Sequence, residues 1–227
     1  MSERLLALET ATECCSAALW VDGAVLTRVH HEANAQAEHI LPMIEALLAE
    51  AGLGRGQIDA VAFGRGPGSF TGLRIAAAVT QGIALAWDRP VLPVSTLAAL
   101  AAGAWRLHGA TRVLTALDAR MGEIYWGGWA LAAPDGLPRA EVLLEERVTP
   151  PAAVRLPAGD GVAVGNGWPL CSGLALDWRP EPAWPLAEDV LRLAVPAHRA
   201  GAGLGPEAAQ PVYLRDKVAK TRAERAG

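Results

Sequence analysis

Cysteine is scarce in this chain, and its placement is unsuited to cross-linking. Cys14 and Cys15 are adjacent, Cys171 stands alone, and no C-x-x-C spacing occurs. A disulfide framework and a cysteine zinc site are excluded, which leaves buried free thiols as the expected state. No H-x-x-x-H or H-E-x-x-H is present either, so the helical two-histidine metal pair is missing. His30 and His31 are neighbours on a predicted strand and point to opposite faces. His39, on the helix that follows, reads as structural or interfacial, and no metal is expected. No apolar run approaches the roughly 18 residues of a membrane span. The longest, Ile75 to Trp87, is interrupted by Thr80, Gln81 and Gly82. The N-terminus lacks the basic segment, apolar run and cleavage site of a signal peptide, which gives a cytoplasmic address as the expectation. Basic charge is also short. With 20 Lys+Arg against 24 Asp+Glu the net charge is -4, without the footprint of an autonomous nucleic-acid binder. The exception is the C-terminus, where Arg215, Lys217, Lys220, Arg222 and Arg225 face only Asp216 and Glu224. It reads as a solvated tail, with contact to a partner or to RNA phosphates as the sharper alternative.

What is present is apolar and ordered. At 227 residues and 52% hydrophobic the chain can bury a substantial core. Leu5–Leu8, Ser16–Val21 and Ala24–Val29 read as strands, the last two joined by Asp22-Gly23, a two-residue hairpin signal. Apolar residues at Ile40, Ile44, Leu47 and Leu48 recur at helical spacing and predict a helix over Gln36–Ala51, with Pro42 inside it and Gly52 at its end. Ile58–Phe63 reads as a strand running into the turn "GRGPGS". A helix to Trp87 follows, capped by Ser69 or Thr71. Val91–Val94 and a Ser95-capped helix complete the first half. Beyond Gly109 come two strands around the polar turn Asp118–Gly122, then "AEVLLEERV" as a further strand. A helix opening on the prolines after Thr149, a strand in "GVAVGNGW", and an amphipathic helix bearing Leu186, Val190 and Leu193 follow. These give two α/β lobes, residues 1–107 and 108–227, with no internal repeat evident along the chain.

The glycine-rich turn fails both specific phosphate templates. A P-loop needs lysine after its last glycine, and leucine follows here. A dinucleotide fingerprint needs a third glycine at fixed spacing, which "GRGPGS" lacks, and Pro67 removes an amide donor. A looser anion site remains open at the amides of Gly68, Ser69 and Phe70. Ser69 lacks the G-x-S-x-G elbow of hydrolases. Glu9 and Glu13 are candidate carboxylate partners in the first turn, and Asp118 either pairs with Arg120 or reaches a bound polar group. The helix after the loop is apolar on nearly all sides and calls for burial on more than one. The helix before it has a wide apolar arc as well. Two such neighbours suggest a protein–protein interface; the alternative is that the second lobe covers both.

The segments "LLALETATECCSAAL", "HILPMIEALL", "GRGPGSFTGLRIAAAVTQGIALA", "DARMGEIYWG" and "PVYLRD" resemble, in order, those of the TsaB (YeaZ) family. The resemblance implies two RNase H-like lobes of the actin, Hsp70 and sugar-kinase (ASKHA) superfamily, with mixed sheets flanked by helices. It implies a non-catalytic scaffold in formation of N6-threonylcarbamoyladenosine beside the tRNA anticodon. The implied partners are TsaD, a metal-holding catalytic paralogue, and the ATPase TsaE. A homodimer is implied when the protein is alone, with tRNA reached only through the complex. No cofactor of its own is implied, with ATP or ADP placed at the partner interface. The expected interface takes His39, Met43 and Leu47 from the first helix, and Gly72, Leu73, Ala76, Ala77, Thr80, Ile83 and Trp87 from the second. The expected anion or nucleotide set is Glu9, Gly66, Gly68, Ser69, Asp118 and Arg120. The family usually carries Asp where this chain has Glu9. The competing reading is a small ATPase or kinase of the same superfamily that uses Glu9, Asp118 and the Gly66–Ser69 turn.

Overall fold

The computed structural model describes residues 3–32, 35–156 and 161–215. Its first sheet comprises β1 (Arg4–Glu9), β2 (Cys14–Val21), β3 (Ala24–His31), β4 (Ala60–Gly64) and β5 (Val91–Val94), in the order β3-β2-β1-β4-β5. The first three strands are antiparallel, and β4 and β5 join in parallel. Asp22 and Gly23 both take positive φ, 51° and 98°, which is what a two-residue turn between twisted strands requires. The second sheet holds β6 (Arg112–Arg120), β7 (Glu123–Ala132), β8 (Arg139–Thr149), β9 (Val162–Val164) and β10 (Asp177–Arg179), in the order β10-β9-β6-β7-β8. Counted from its own first strand, this is the 3-2-1-4-5 order again. The two lobes are therefore topological repeats, a relation that the sequence does not display.

The helices are α1 (Gln36–Ala51), α2 (Phe70–Trp87), α3 (Thr96–His108) and α4 (Ala187–Arg199). Strand β1 is apolar at every interior position because both faces of its sheet are covered. Leu6 and Leu8 pack under α1 and α2, while Leu5 and Ala7 pack under α4. Helix α4 follows the second sheet in sequence yet rests on the first. Helix α3 follows the first sheet and contributes Leu97, Leu100 and Ala104 to the core of the second. Residues Thr96–Ala104 of α3 are all buried, because that helix lies between α4 and the second sheet. Its alanines let the layers approach closely. A bidentate ion pair from Arg106 to the fully buried Asp189, at 2.8 and 2.9 Å, ties α3 to α4.

Several local expectations shift. The fourth strand begins at Ala60 rather than Ile58. Ser69 rather than Thr71 caps α2, accepting from the Gly72 amide. The helix expected after Thr149 is a single 3-10 turn, Pro151–Ala153, with Pro150 at its start. Three residues end it because Val154 returns to extended backbone and plugs the second core. On α4 the fully buried face is Ala187, Val190, Leu191, Ala194 and Val195. Leu193 is only half-buried, where it leans toward the second lobe. The basic tail beyond Arg215 lies outside the described residues.

Candidate functional site

A cleft of about 380 Å³ opens between the lobes. The β1–β2 turn (Ala11–Glu13) and the glycine-rich loop form one wall. The ends of β6 and β7 and Asn166 form the other, and Val212–Arg215 closes the side. The loop after β4 turns beside β1 because the parallel pairing sets Leu8 against Phe63. The sequence-predicted Gly68, Ser69, Asp118 and Arg120 do meet in this cleft, while Glu9 and Gly66 are not among its lining residues.

Glu9 is fully buried behind the turn. Its carboxylate accepts from the Ala11 amide at 2.7 Å and from the Thr96 hydroxyl at 3.1 Å. Burial pushes its carboxyl up to about 7 against those donors. The expectation that Glu9 faces a ligand is corrected: it binds its own turn to the start of α3. The adjacent thiols are inert as well. Burial, then the Glu9 charge, pushes Cys14 to about 12 and Cys15 to about 11, far from the thiolate that reactivity needs.

The glycine-rich loop turns its amides inward. The Gly66 amide donates to Thr96 Oγ1 at 3.2 Å, the Ser69 amide to the Ala11 carbonyl at 2.7 Å, and the Gly72 amide to Ser69 Oγ at 3.4 Å. Of the three amides expected to hold an anion, that of Ser69 is therefore spent on Ala11. The glycines have a steric reason instead. A Cβ on Gly68 would stand 2.6 Å from the Ala11 carbonyl oxygen, and one on Gly72 would stand 2.0 Å from that of Thr10. They exist so that the β1–β2 turn can lie against the loop and the first turn of α2.

The cations of the cleft are paired. Arg120 bonds Glu13 across the lobes and Asp118 at 3.2 Å. Arg215 reaches Glu123 and the Ala119 carbonyl, at 3.1 Å to the latter. An entering anion has to compete with these carboxylates. Asn166, Tyr125 and Tyr213 line the cleft, and Thr96 holds Glu9 behind it; the sequence reading missed all four. Asn166, whose Oδ1 accepts from the Asp118 amide at 3.0 Å, sits in a Gly-Asn-Gly loop whose pattern could have flagged it. Thr96 carried no signal beyond helix capping.

The outer surface of α1 and α2 is the second candidate site. Helix α1 rests on β2 and β3, and α2 on β4; the second lobe packs against the opposite side, through α3 and α4. Six of the expected interface residues prove to be internal. Leu47, Gly72, Leu73, Ala76, Ala77 and Thr80 are buried within the protein, Leu73 beneath the cleft and Gly72 against the β1–β2 turn. Four of the five on α2, Gly72, Ala76, Ala77 and Thr80, have small side chains, which permit close packing. His39, Met43, Ile83 and Trp87 are half-buried at the surface, joined by Ile75 and Val79. Leu85 is 72% exposed and Leu41 49%.

Comparison with known proteins agrees with this architecture. The profile of the family described as "TsaD: tRNA N6-adenosine threonylcarbamoyltransferase" matches residues 30–135. The chain is 42% identical to the tRNA threonylcarbamoyladenosine biosynthesis protein TsaB of Escherichia coli, over 95% of this chain and 96% of that one. It is 38% identical to the protein of the same name from Haemophilus influenzae, over 94% of each. Among solved structures, YeaZ from Pseudomonas aeruginosa superposes with a TM-score of 0.87 at 44% identity, covering 93% of this chain and 100% of that one.

Proposed function

The chain belongs to the TsaB family of tRNA threonylcarbamoyladenosine biosynthesis proteins, and from that premise we propose that it is a non-catalytic scaffold that binds and activates TsaD. Its role is in tRNA modification. Within that role it forms a heterodimer with TsaD, is joined by TsaE, and pairs with a second copy when alone. It meets tRNA only through the assembly and works in the cytoplasm. It holds no cofactor of its own, and ATP or ADP sits at the partner interface.

The observation that carries this reading is the uncovered face of α1 and α2. Ile75, Val79 and Ile83 run along α2 at four-residue spacing with partial exposure, and Leu85 adds a largely exposed apolar side chain to the same outer surface, the pattern of a helix prepared for a helical partner. The competing ATPase reading is disfavoured by chemistry. Glu9 is occupied by Ala11 and Thr96, and the Ser69 amide by Ala11.

The test is co-purification of tagged TsaD with Ile83→Arg and Leu85→Arg variants. Leu85 is mostly exposed, so its variant keeps the fold within about 0.5 kcal/mol. Circular dichroism checks that both are folded. Loss of TsaD from both folded variants is expected, and retention by both refutes the interface. ATP turnover by the isolated protein that disappears in Glu9→Gln would reverse the choice between scaffold and enzyme.

A further inference from the structure

Two imidazoles and a carboxylate converge where β3 meets α1. His30 is the penultimate residue of β3, and Glu32, one residue past the strand, brings its carboxylate to the same face. That face is covered by α1, whose early residue His39 comes over them. The rings of His30 and His39 lie 3.7 Å apart between centroids at an interplanar angle of 32°. His30 Nε2 stands 3.0 Å from Glu32 Oε2. One donor atom from each of the three residues lies within 4.8 Å of the other two. Both histidines are half-buried and Glu32 is exposed, so apolar packing does not account for the meeting.

We propose that His30, Glu32 and His39 form a binding site for a divalent first-row transition cation, with Zn2+ as the favoured occupant. Two imidazole nitrogens and one carboxylate oxygen suit zinc, and a fourth position stays open to water. With metal–ligand bonds of about 2.1 Å, tetrahedral donors stand about 3.4 Å apart. Closing the widest gap takes at most about 1.4 Å, within reach of rotation of the exposed Glu32 and the half-buried rings. The bound cation clips the edge strand to α1, and because the unfolded chain does not hold the three ligands together, it stabilises the fold. Motif inspection misses the site because its ligands come from a strand end and a helix rather than from one helix face. It also lies apart from the interlobe cleft, whose lining includes none of the three.

The test uses the full-length protein after chelator treatment. It is titrated with Zn2+ alone by calorimetry, and with Co2+ by visible absorption, which reports four-coordinate geometry. One equivalent is expected to bind and to raise the melting temperature. His30→Gln and His39→Gln are each expected to weaken binding by more than about tenfold. His31→Gln, on the opposite face of β3, is expected to leave it unchanged. Circular dichroism of each variant before metal is added separates lost binding from lost folding. The proposal is overturned if the wild-type protein shows no one-to-one binding step. It is also overturned if the His30→Gln/His39→Gln double variant binds within tenfold of wild type, or if His31→Gln loses as much as His39→Gln.

Discussion

Gly72 and Gly82 lie on the same helix, and replacing each with alanine should move stability in opposite directions. In an exposed helix interior, alanine is favoured over glycine by about 1 kcal/mol. Gly82 meets that description, since nothing lies within 4 Å of a Cβ placed there, so Gly82→Ala should stabilise by about that amount. At Gly72 the same methyl would sit 2.0 Å from the Thr10 carbonyl oxygen. An ordinary carbon–oxygen contact is about 3.3 Å, so the β1–β2 turn has to retreat by about 1.3 Å. That retreat strains two buried hydrogen bonds, from Thr10 Oγ1 to the Gly72 carbonyl and from the Ser69 amide to the Ala11 carbonyl, both 2.7 Å. Each is worth about 1 kcal/mol, and the overpacking itself costs about 1–3 kcal/mol. Net of the helix gain, Gly72→Ala should destabilise by about 2–4 kcal/mol, a fall of roughly 4–16 °C in melting temperature for a chain of this length. Urea midpoints and calorimetry on both variants read the result. A Gly72→Ala protein as stable as wild type would show that the turn does not lie against α2 as described, and would return the loop to the role of an open cradle.

Glu9 predicts a pH dependence. Its carboxyl is held at about 7 in the fold against about 4.3 in an unfolded chain, so between those values the native state carries more protons. Stability from this group is therefore lost as pH rises through the window, by about 3 kcal/mol between pH 4.5 and 7.5, and is level above it. The unfolding free energy of Glu9→Gln relative to wild type should rise by that amount between about pH 4.5 and 7.5; a constant difference across urea titrations would refute the assignment. Arg106→Ala strips both hydrogen bonds from the fully buried Asp189 and should cost about 3–5 kcal/mol, read from urea midpoints. Adding Asp189→Asn should recover part of that loss, because the uncompensated charge is then gone, and a double variant no better than the single one would argue against charge burial as the cause.

The sequence by itself determined most of the elements, though not the strand Asp177–Arg179 or the single 3-10 turn after Thr149. Period-two and period-3.6 apolar patterns, Asp22-Gly23, and capping residues such as Ser95 act locally, within a turn or two of chain, whereas the choice of Ser69 over Thr71 as the α2 cap came from the structure. The motif series ending in "PVYLRD" likewise sufficed to place the chain in its family. What only the tertiary structure decided are relations between distant segments. A wheel drawn on α2 shows apolar residues all round, but the covered arc depends on which strand lies beneath. Gly72, Ala76 and Thr80 therefore went inward, and Leu85 outward. The exchange of α3 and α4 between the lobes follows from the path of a chain that crosses and returns, and no local propensity encodes it. Glu9 presents the same carboxylate on paper whether it faces a ligand or the core. Thr96, 87 residues away, and the Ala11 amide settle that it faces inward, because burial and hydrogen bonding belong to the folded surroundings of a residue and not to its place in the chain.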